Sequence, residues 1–228
     1  MQELAVKRHE EKYLLNPAQA LELQIMLDAL LQRDRYSRKG AYYIRSLYFD
    51  TPDDQDYLDK VLGVERRQKI RLRLYDLAAP TLKLEIKNKQ GSYSYKQGVK
   101  VDRTAAQALI DGDAAPLLAL GSPTAVRAYG FFQRELRRPT ALVDYERLAF
   151  WLPVEDLRIT LDTHVRAAKS DRIFSDQVPM VGLHGGGTVI LEVKYNRYLP
   201  HFLRGPLSTL QTQATSVSKY AAARGMLY

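Results

Sequence analysis

Apolar residues alternate with charged or polar ones in several segments of this chain, with the two-residue period of a β-strand that buries one face. In the stretch Thr81–Lys89, TLKLEIKNK, Leu82, Leu84 and Ile86 alternate with lysines and a glutamate. We predict eight such strands, at Val6–Leu14, Tyr42–Phe49, Gln68–Asp76, Thr81–Lys89, Tyr93–Val101, Thr140–Trp151, Leu157–Val165 and Thr188–Tyr195.

Helical signals are confined to the connections between these strands. Asn16 before Pro17 predicts a helix start, because asparagine caps free backbone N–H groups and proline is tolerated at the first position; Ser122-Pro123 repeats the signal. The predicted helices cover about 17–34, 53–60, 104–110, 116–120, 123–133 and 216–223, the last ending at Gly225. We therefore predict a mainly antiparallel β (α+β) fold, an eight-stranded closed barrel or tunnel with peripheral helices, in one domain over residues 1–228.

The charged strand faces are dominated by one sign. Twelve basic residues share these faces: Arg8, Lys12, Lys69, Arg71, Arg73, Lys83, Lys87, Lys96, Lys100, Arg147, Arg158 and Lys194. The acidic residues on them are Glu10, Glu85, Asp162 and Glu192. A surface of one sign repels itself unless an anion neutralises it, and the planar guanidinium of arginine suits phosphate oxygens.

Either strand face could point into a barrel. The usual arrangement, with the apolar face inside, would leave the charges in water. Here the helices carry apolar stripes, such as Ala20, Leu23, Leu27 and Leu30, that could cover the apolar strand face from outside. We therefore expect the charged face, including Lys87, to line a tunnel that binds a linear polyphosphate and a divalent metal.

The composition indicates an anionic partner but does not identify its chemical class. Lys plus Arg outnumber Asp plus Glu by 34 to 26, for a net charge of +8 at pH 7. Nucleic acid, a membrane surface and polyanionic small molecules all fit that charge. Nucleic acid is not expected, because the tyrosines form no stacking motif between the basic residues. The chain has no cysteine and four scattered histidines, which indicates neither thiolate chemistry nor a histidine metal site on one helix.

Targeting signals are missing from the sequence as given. The N-terminus reaches charged residues at once, and no apolar run approaches the ~18 residues of a membrane span. We expect a soluble, cytoplasmic protein. The run Gly185-Gly186-Gly187 precedes a strand and lacks the Lys-Ser/Thr that completes a P-loop, so it predicts a hairpin loop.

An ordered set of short motifs resembles one protein family. The motifs are RHEEKY (8–13), SLYFDTPD (46–53), KIRLRLY (69–75), LEIK (84–87), VDYER (143–147), RITLD (158–162), LEVKY (191–195) and SVSKY (216–220). Together they resemble the polyphosphate-polymerising domain of the vacuolar transporter chaperone (VTC) complex, a member of the triphosphate tunnel metalloenzymes (CYTH-like superfamily). The resemblance implies an eight-stranded antiparallel tunnel that binds ATP or inorganic polyphosphate with basic residues and uses Mn²⁺ or Mg²⁺.

The resemblance also implies roles for individual residues. Those expected to hold phosphates are Lys12, Arg71, Arg73, Lys87, Lys96, Lys100, Arg147, Arg158 and Lys194, with Tyr145 and Ser218 as secondary candidates. Arg71, Arg73 and Arg147 would act catalytically with Lys219, which would contact the transferred phosphate from a helix at the tunnel mouth. Glu192 would be the main metal ligand, joined by Glu10 and Glu85, although Glu85 could equally be a structural ion-pair residue.

One departure from the wider superfamily bears on the reaction. Hydrolytic tunnel enzymes carry Glu-x-Glu-x-Lys on the first strand, and here Arg8 replaces the first glutamate. Losing that carboxylate weakens any mechanism in which a second metal activates water. We therefore expect transfer of the γ-phosphate of ATP to a growing polyphosphate chain. The alternatives are a triphosphatase or polyphosphate hydrolase and a non-catalytic module that binds polyphosphate or inositol phosphates; a membrane partner protein is a further possibility.

Overall fold

The structure is a computed structural model that describes residues 9–91, 93–153, 156–185, 187–196, 198–208 and 216–227. In chain order its strands are β1 (His9–Leu15), β2 (Gln32–Arg33), β3 (Tyr42–Asp50), β4 (Arg66–Leu74), β5 (Thr81–Gln90), β6 (Tyr93–Asp102), β7 (Arg138–Leu152), β8 (Leu157–Ala168), β9 (Val181–Gly182) and β10 (Val189–Tyr195). Its α-helices are α1 (Pro17–Leu30), α2 (Gln55–Val61), α3 (Arg103–Ile110), α4 (Pro123–Glu135), α5 (His201–Ser208) and α6 (Lys219–Leu227), and Ala115–Leu120 forms a 3₁₀ helix.

All eight predicted strands are present, and the two-residue strands β2 and β9 add to them. The start of the predicted first strand, including Arg8, lies outside the described residues. Helix α5 is not anticipated by the sequence, because Pro206 lies inside it and proline is a helix-breaking signal. Helix α6 continues through Gly225, where the sequence predicts its end. A β-carbon at Gly225 would lie 3.6 Å from the Tyr57 hydroxyl, an ordinary contact distance, so the helix passes close to Tyr57 without requiring glycine at this position.

One hydrogen-bonded path joins the longer strands in the order β1-β10-β8-β7-β3-β4-β5-β6, with β2 paired to β7 and β9 to β8. The pairs β1/β10, β10/β8, β2/β7, β3/β4, β4/β5 and β5/β6 are antiparallel, which confirms the predicted fold class. The path has two ends, so the sheet formed by the described residues is not closed, and in this detail the predicted barrel is corrected. Alternation records which face a strand buries, whereas closure depends on pairing between terminal strands, which no local pattern encodes.

The chain divides into two compact units. Unit 1 contains Met1–Tyr43, Tyr145–Val165 and Gly182–Ser218. Unit 2 contains Ile44–Asp144, Arg166–Val181 and Lys219–Tyr228. The prediction of a single domain over residues 1–228 stays a prediction.

In unit 1, helices α1 and α5 cover the apolar face of the sheet. The buried cluster includes Tyr13, Leu15, Leu23, Leu27, Ile159, Leu161, Leu191, Val193, Leu203 and Leu207. Of the stripe predicted on α1, Leu30 is exposed, and Leu31 is buried instead. Because side chains alternate along a strand, the residues between these apolar positions lie on the opposite face. That face carries the charged residues of the motifs.

Unit 2 repeats this arrangement. The buried face consists of Ile70, Leu72 and Leu74 from β4 with Leu82, Leu84 and Ile86 from β5. Phe132 of α4 packs edge-on against Phe49 of β3, with ring centres 5.0 Å apart. The opposite face of β4 and β5 therefore carries the arginines and lysines. No helix among the described residues is long and apolar enough to cross a membrane.

Candidate functional site

Strand pairing in unit 1 places charged residues side by side in two adjacent rows. The rows are Lys12–Glu192–Thr160 and Glu10–Lys194–Arg158, each crossing β1, β10 and β8. Directly opposed side chains on one face of an antiparallel pair have Cβ atoms about 4.5–5.5 Å apart, close enough for ion pairs. Together with Arg147 and Asp162, the residues Glu10, Lys12, Glu192 and Lys194 form what we call the unit 1 cluster.

Glu192 is at the centre of the unit 1 cluster and is only 8% exposed. Its carboxylate lies 3.2 Å from Lys194 Nζ, 3.4 Å from Lys12 Nζ and 3.8 Å from Arg147 Nη2. Burial favours the neutral acid, but the charges of Lys194, Lys12 and Arg147 outweigh it and hold the pKa of Glu192 well below its usual range. Glu192 is therefore ionised at neutral pH, and its carboxylate oxygens could act as metal ligands.

Lys12 is shared by two carboxylates. Its Nζ lies 2.9 Å from Glu10 Oε1 and also donates to the backbone oxygen of Val217 at 3.3 Å. Burial opposes the charge of Lys12, yet Glu192 and Glu10 raise its pKa above the usual value. A metal held by Glu10 and Glu192 would have to compete with this ammonium group.

The donor set of the unit 1 cluster fits a hard divalent cation. Mg²⁺ and Mn²⁺ favour oxygen ligands, and Mg²⁺ is commonly held by one or two carboxylates together with substrate phosphates and water. Within the described part of the chain, no group of three or more His, Asp or Glu side chains has a metal-binding arrangement. Glu192 and Glu10 could therefore supply only part of a coordination shell.

Arg147 is fixed in place by Asp162. Its Nε and Nη2 donate to the two carboxylate oxygens at 2.6 and 2.7 Å, and its guanidinium carbon lies 5.3 Å from the centre of the Tyr145 ring. Burial opposes the charge of Arg147, but Asp162 outweighs it and raises the pKa well above the usual value. The sequence places Asp162 on this face without giving it a role; the alternation of RITLD is the signal that would have found it.

Arg158 lies at the margin of this face. Its side chain is exposed, and its Nη2 donates to Asp34 Oδ2 at 2.9 Å and to the Tyr42 hydroxyl at 3.3 Å. Asp34 has no role in the sequence analysis, because it is the last residue of the helix predicted over 17–34 and belongs to none of the alternating strands.

In unit 2, three rows cross the strands β3 to β6. The rows are Tyr48–Arg71–Glu85–Gly98, Ser46–Arg73–Lys83–Lys100 and Lys69–Lys87–Lys96, the last beginning at β4. We call Tyr48, Arg71, Arg73, Glu85 and Lys96 the unit 2 cluster. Gly98 carries no side chain beside Glu85, so the long basic side chains can converge on that carboxylate.

Glu85 is the anionic centre of the unit 2 cluster. Its carboxylate lies 2.5 Å from Lys96 Nζ, 2.8 Å from Arg71 Nη2 and 3.6 Å from Arg73 Nη1. Burial favours the neutral acid, but the charges of Arg71, Arg73 and Lys96 hold the pKa of Glu85 well below its usual range. Burial in turn lowers the pKa of Lys96. Of the two roles left open by the sequence, these contacts favour the ion pair; metal binding by Glu85 stays a prediction.

Part of the charged face of unit 2 is shielded from water. Arg73 is 7% and Glu85 3% exposed, although both point away from the apolar core. A sheet face in open solvent leaves such residues accessible. Lys87 is half-buried, whereas Lys83, Lys96 and Lys100 are exposed.

Two more candidates lie where α6 begins. Lys219 is the first residue of α6, and Ser218 immediately precedes it; both are half-buried.

Tyr48, which the sequence analysis does not select, accepts a hydrogen bond from Arg71 Nη1 at 2.9 Å. The alternation of β3, which puts Tyr48 and Ser46 on one face, was a usable signal for it.

Comparisons with known proteins agree with this fold. The profile of the VTC domain matches residues 7–228. A search of curated protein sequences gives no match. Among solved structures, a candidate adenylate cyclase from Bacillus halodurans superimposes with a TM-score of 0.55 at 10% identity, covering 93% of this chain and 95% of its own. The PH1012 protein of Pyrococcus horikoshii has a TM-score of 0.51 at 11% identity, covering 97% and 99%.

At these identities the solved structures establish the fold alone, while the VTC profile covers nearly the whole chain. The profile and the fold agree with the ordered motifs and with the strands that carry them. The chain therefore belongs to the VTC domain family, and its mainly antiparallel α+β fold is the one shared with these two solved structures.

Proposed function

We propose that this protein binds triphosphate and polyphosphate on its basic strand faces and transfers the γ-phosphate of ATP to a growing polyphosphate chain. The observation that carries the proposal is the shielded basic face of unit 2. Arg73 is buried there and Arg71 half-buried, and both converge with Lys96 on a single carboxylate. Membership of the VTC family supports the same conclusion.

Phosphoryl transfer requires positioning and neutralisation of charge more than covalent chemistry from the protein. Arg71 and Arg73 in unit 2 and Arg147 in unit 1 are suited to this, because their charges are permanent and carboxylates already orient them. Lys12, Lys87, Lys96, Lys100, Arg158 and Lys194 would add further phosphate contacts. Tyr145 and Ser218 would be secondary contacts, and Lys219 would touch the transferred group.

Glu192, with Glu10, would hold Mn²⁺ or Mg²⁺ together with phosphate oxygens. When bound, such an ion neutralises charge on the phosphate oxygens. The attacking group is the terminal phosphate of the chain, which is already anionic, so no side chain needs to act as a general base. Arg8, in place of a glutamate, favours polymerisation over hydrolysis.

The proposal is tested by incubating the pure protein with ATP, Mn²⁺ and a short polyphosphate primer. Long chains with release of ADP would support it. Release of free phosphate alone would identify a hydrolase, and tight binding without turnover would identify a binding module.

Arg71→Ala and Arg73→Ala test the basic face of unit 2 directly. Each should weaken binding of tripolyphosphate about 10- to 100-fold, because a hydrogen bond to a charged group contributes about 1.5–3 kcal/mol. Titration calorimetry would measure the affinity. Arg134→Ala, an exposed arginine of α4, is the matched control and should bind like the wild type. Wild-type affinity in both Arg71→Ala and Arg73→Ala would show that this face does not bind phosphate.

A further inference from the structure

Helix α6 depends on tertiary contacts for its position. It has nine residues, and isolated helices of this length are not stable in water. Tyr220 and Arg224, four residues apart, lie on the same side of the helix and are 1% and 3% exposed. These two side chains are therefore part of the surface by which α6 is held.

Both side chains reach the chain between the end of β3 and the start of α2. Arg224 Nη2 lies 2.6 Å from Asp54 Oδ2, and the Tyr220 hydroxyl donates to Asp50 Oδ2. Burial, reinforced by the charge of Asp50, raises the pKa of Tyr220 above its usual range, so its hydroxyl remains a donor at neutral pH. Tyr220, Asp50 and Arg224 are buried, whereas Asp54 is 38% exposed, so the bond from Tyr220 to Asp50 is the one that lies in a low-dielectric setting, where a hydrogen bond to a carboxylate is strong.

Asp50 is itself held rigidly by the backbone. It accepts hydrogen bonds from the N–H groups of Thr51, Asp56 and Tyr57 at 2.8, 2.9 and 3.0 Å. The last two belong to the first turn of α2, whose free N–H groups need such an acceptor. Asp50 therefore fixes α2 and α6 to the end of β3 at one point.

The ring of Tyr220 also meets the basic residues of unit 2. It stacks on Tyr48 with centres 5.0 Å apart and planes at 27°, and Lys69 Nζ lies 5.6 Å from its centre. Tyr48 in turn accepts the 2.9 Å hydrogen bond from Arg71. A continuous set of contacts thus joins α6 to two cations of the charged face.

We propose that Tyr220 is a positioning residue for phosphate binding in unit 2. Its hydroxyl holds α6, and with it Lys219, on Asp50, while its ring orients Lys69 directly and Arg71 through Tyr48. The inference rests on the proposed function, because phosphate binding is what this positioning would serve. Displacing a group by about 1 Å can cost 100-fold in rate, so a short helix whose first residue is Lys219 needs such an anchor if that lysine is to contact phosphate.

Tyr220→Phe isolates the anchor, because it removes the hydroxyl and keeps the ring. Hydrogen–deuterium exchange across 219–227 and the acylation rate of the Lys219 amine should both rise, the former about tenfold, in line with the loss of a hydrogen bond to a charged group. Phe132→Leu, a core variant of α4, serves as the control for a general loss of stability. It should lower the melting temperature without faster exchange confined to α6.

A double-mutant cycle with Lys219→Ala separates positioning from a purely structural role. Tyr220→Phe should weaken tripolyphosphate binding by about three- to tenfold in the wild-type background and by less when Lys219 is already alanine. Equal effects in both backgrounds, or unchanged exchange of α6 in Tyr220→Phe, would overturn the inference. If the wild type itself does not bind tripolyphosphate, the proposed function fails, whereas the exchange and acylation rates still decide whether Tyr220 fixes Lys219.

Discussion

Single buried carboxylates set the electrostatics of both charged faces at the residue scale. Glu192 is approached by Lys12, Lys194 and Arg147, and Glu85 is surrounded by two arginines and Lys96. Each carboxylate lets several cations lie close together by offsetting their repulsion. An incoming phosphate would then meet charges that are already oriented, and it would compete with the carboxylate for them.

Glu85→Gln should destabilise the protein by about 3–5 kcal/mol at pH 7, because three cations lose their buried partner. Since folding lowers the pKa of Glu85 below its ordinary 4.5, its stabilisation is present above pH 4.5 and is lost as pH falls toward the folded pKa. The difference between wild type and variant should therefore shrink below pH 4.5. Urea denaturation at pH 7, 4 and 3 measures it, with exposed Glu22→Gln as control. A pH-independent difference would rule out the charge of Glu85 as the cause.

Thr160→Val should leave the free energy of unfolding unchanged or raise it by up to about 1 kcal/mol. Thr160 is buried, and its Oγ1 has no hydrogen-bond partner in the described part of the protein, so valine removes an unsatisfied polar group. Thr140→Val is the matched comparison, because Thr140 Oγ1 donates to the backbone oxygen of Tyr48 at 3.2 Å. That variant should lose about 1 kcal/mol. Chemical denaturation measures the free energy of unfolding of both variants. Equal losses of stability in Thr160→Val and Thr140→Val would contradict the assignment of Thr160 Oγ1 as unsatisfied.

At the scale of secondary-structure elements, two helix starts with the same sequence signature differ in the structure. Asn16 Oδ1 accepts from Gln19 N at 2.9 Å, and Gln19 Oε1 accepts from Asn16 N at 3.1 Å, which completes a capping box on α1. Ser122, at the start of α4, makes no side-chain capping bond. The dipeptide predicts where each helix begins, but the capping contact depends on the side-chain rotamer.

Asn16→Ala should therefore cost about 1 kcal/mol of stability, the usual value for a lost N-cap. Ser122→Ala should change the free energy of unfolding by only a few tenths of a kcal/mol, because it removes no capping bond. Thermal denaturation of both variants measures the difference. A larger loss in Ser122→Ala than in Asn16→Ala would show that the capping contacts are assigned to the wrong helix.

Most of the strands and helices could be predicted from the sequence, because the signals that define them lie within each segment. Strands such as TLKLEIKNK show a period that only their own residues determine, and all eight predicted strands are present. Helix α5 escaped prediction because Pro206 contradicts it locally while Leu203 and Leu207 stabilise it through burial in the unit 1 core. Helix α6 passes Gly225 because its tertiary contacts, in which Tyr220 and Arg224 pack against the Tyr57 ring, override a local end signal.

For the whole molecule, the net charge of +8 predicts that phosphate binding depends on salt. The Debye length, over which salt screens a charge, shortens from about 10 Å at 0.1 M to about 3 Å at 1 M ionic strength. Exposed lysines should therefore lose most of their attraction for phosphate at high salt. The shielded cations Arg71 and Arg73 should keep part of theirs.

We expect tripolyphosphate affinity to fall between 0.1 and 1 M NaCl but to remain measurable by calorimetry in the wild type. In an Arg71→Ala/Arg73→Ala variant the residual binding at high salt should disappear, whereas Arg134→Ala should retain it. Complete loss of wild-type binding at 1 M NaCl would mean that only exposed charges attract the anion.

What the sequence determined about this protein is its strands, its fold class, its family and the charged character of one strand face. These follow from local alternation and from ordered motifs, which each segment carries within its own residues. The tertiary structure decided which charges meet: that Lys12 joins Glu10 to Glu192, that Asp162 fixes Arg147, and that Tyr220 joins Asp50. It also decided that the described sheet is open. Apart from Glu10 and Lys12, which share β1, these partners come from different segments, and their pairing depends on register and burial, which no single segment of the chain encodes.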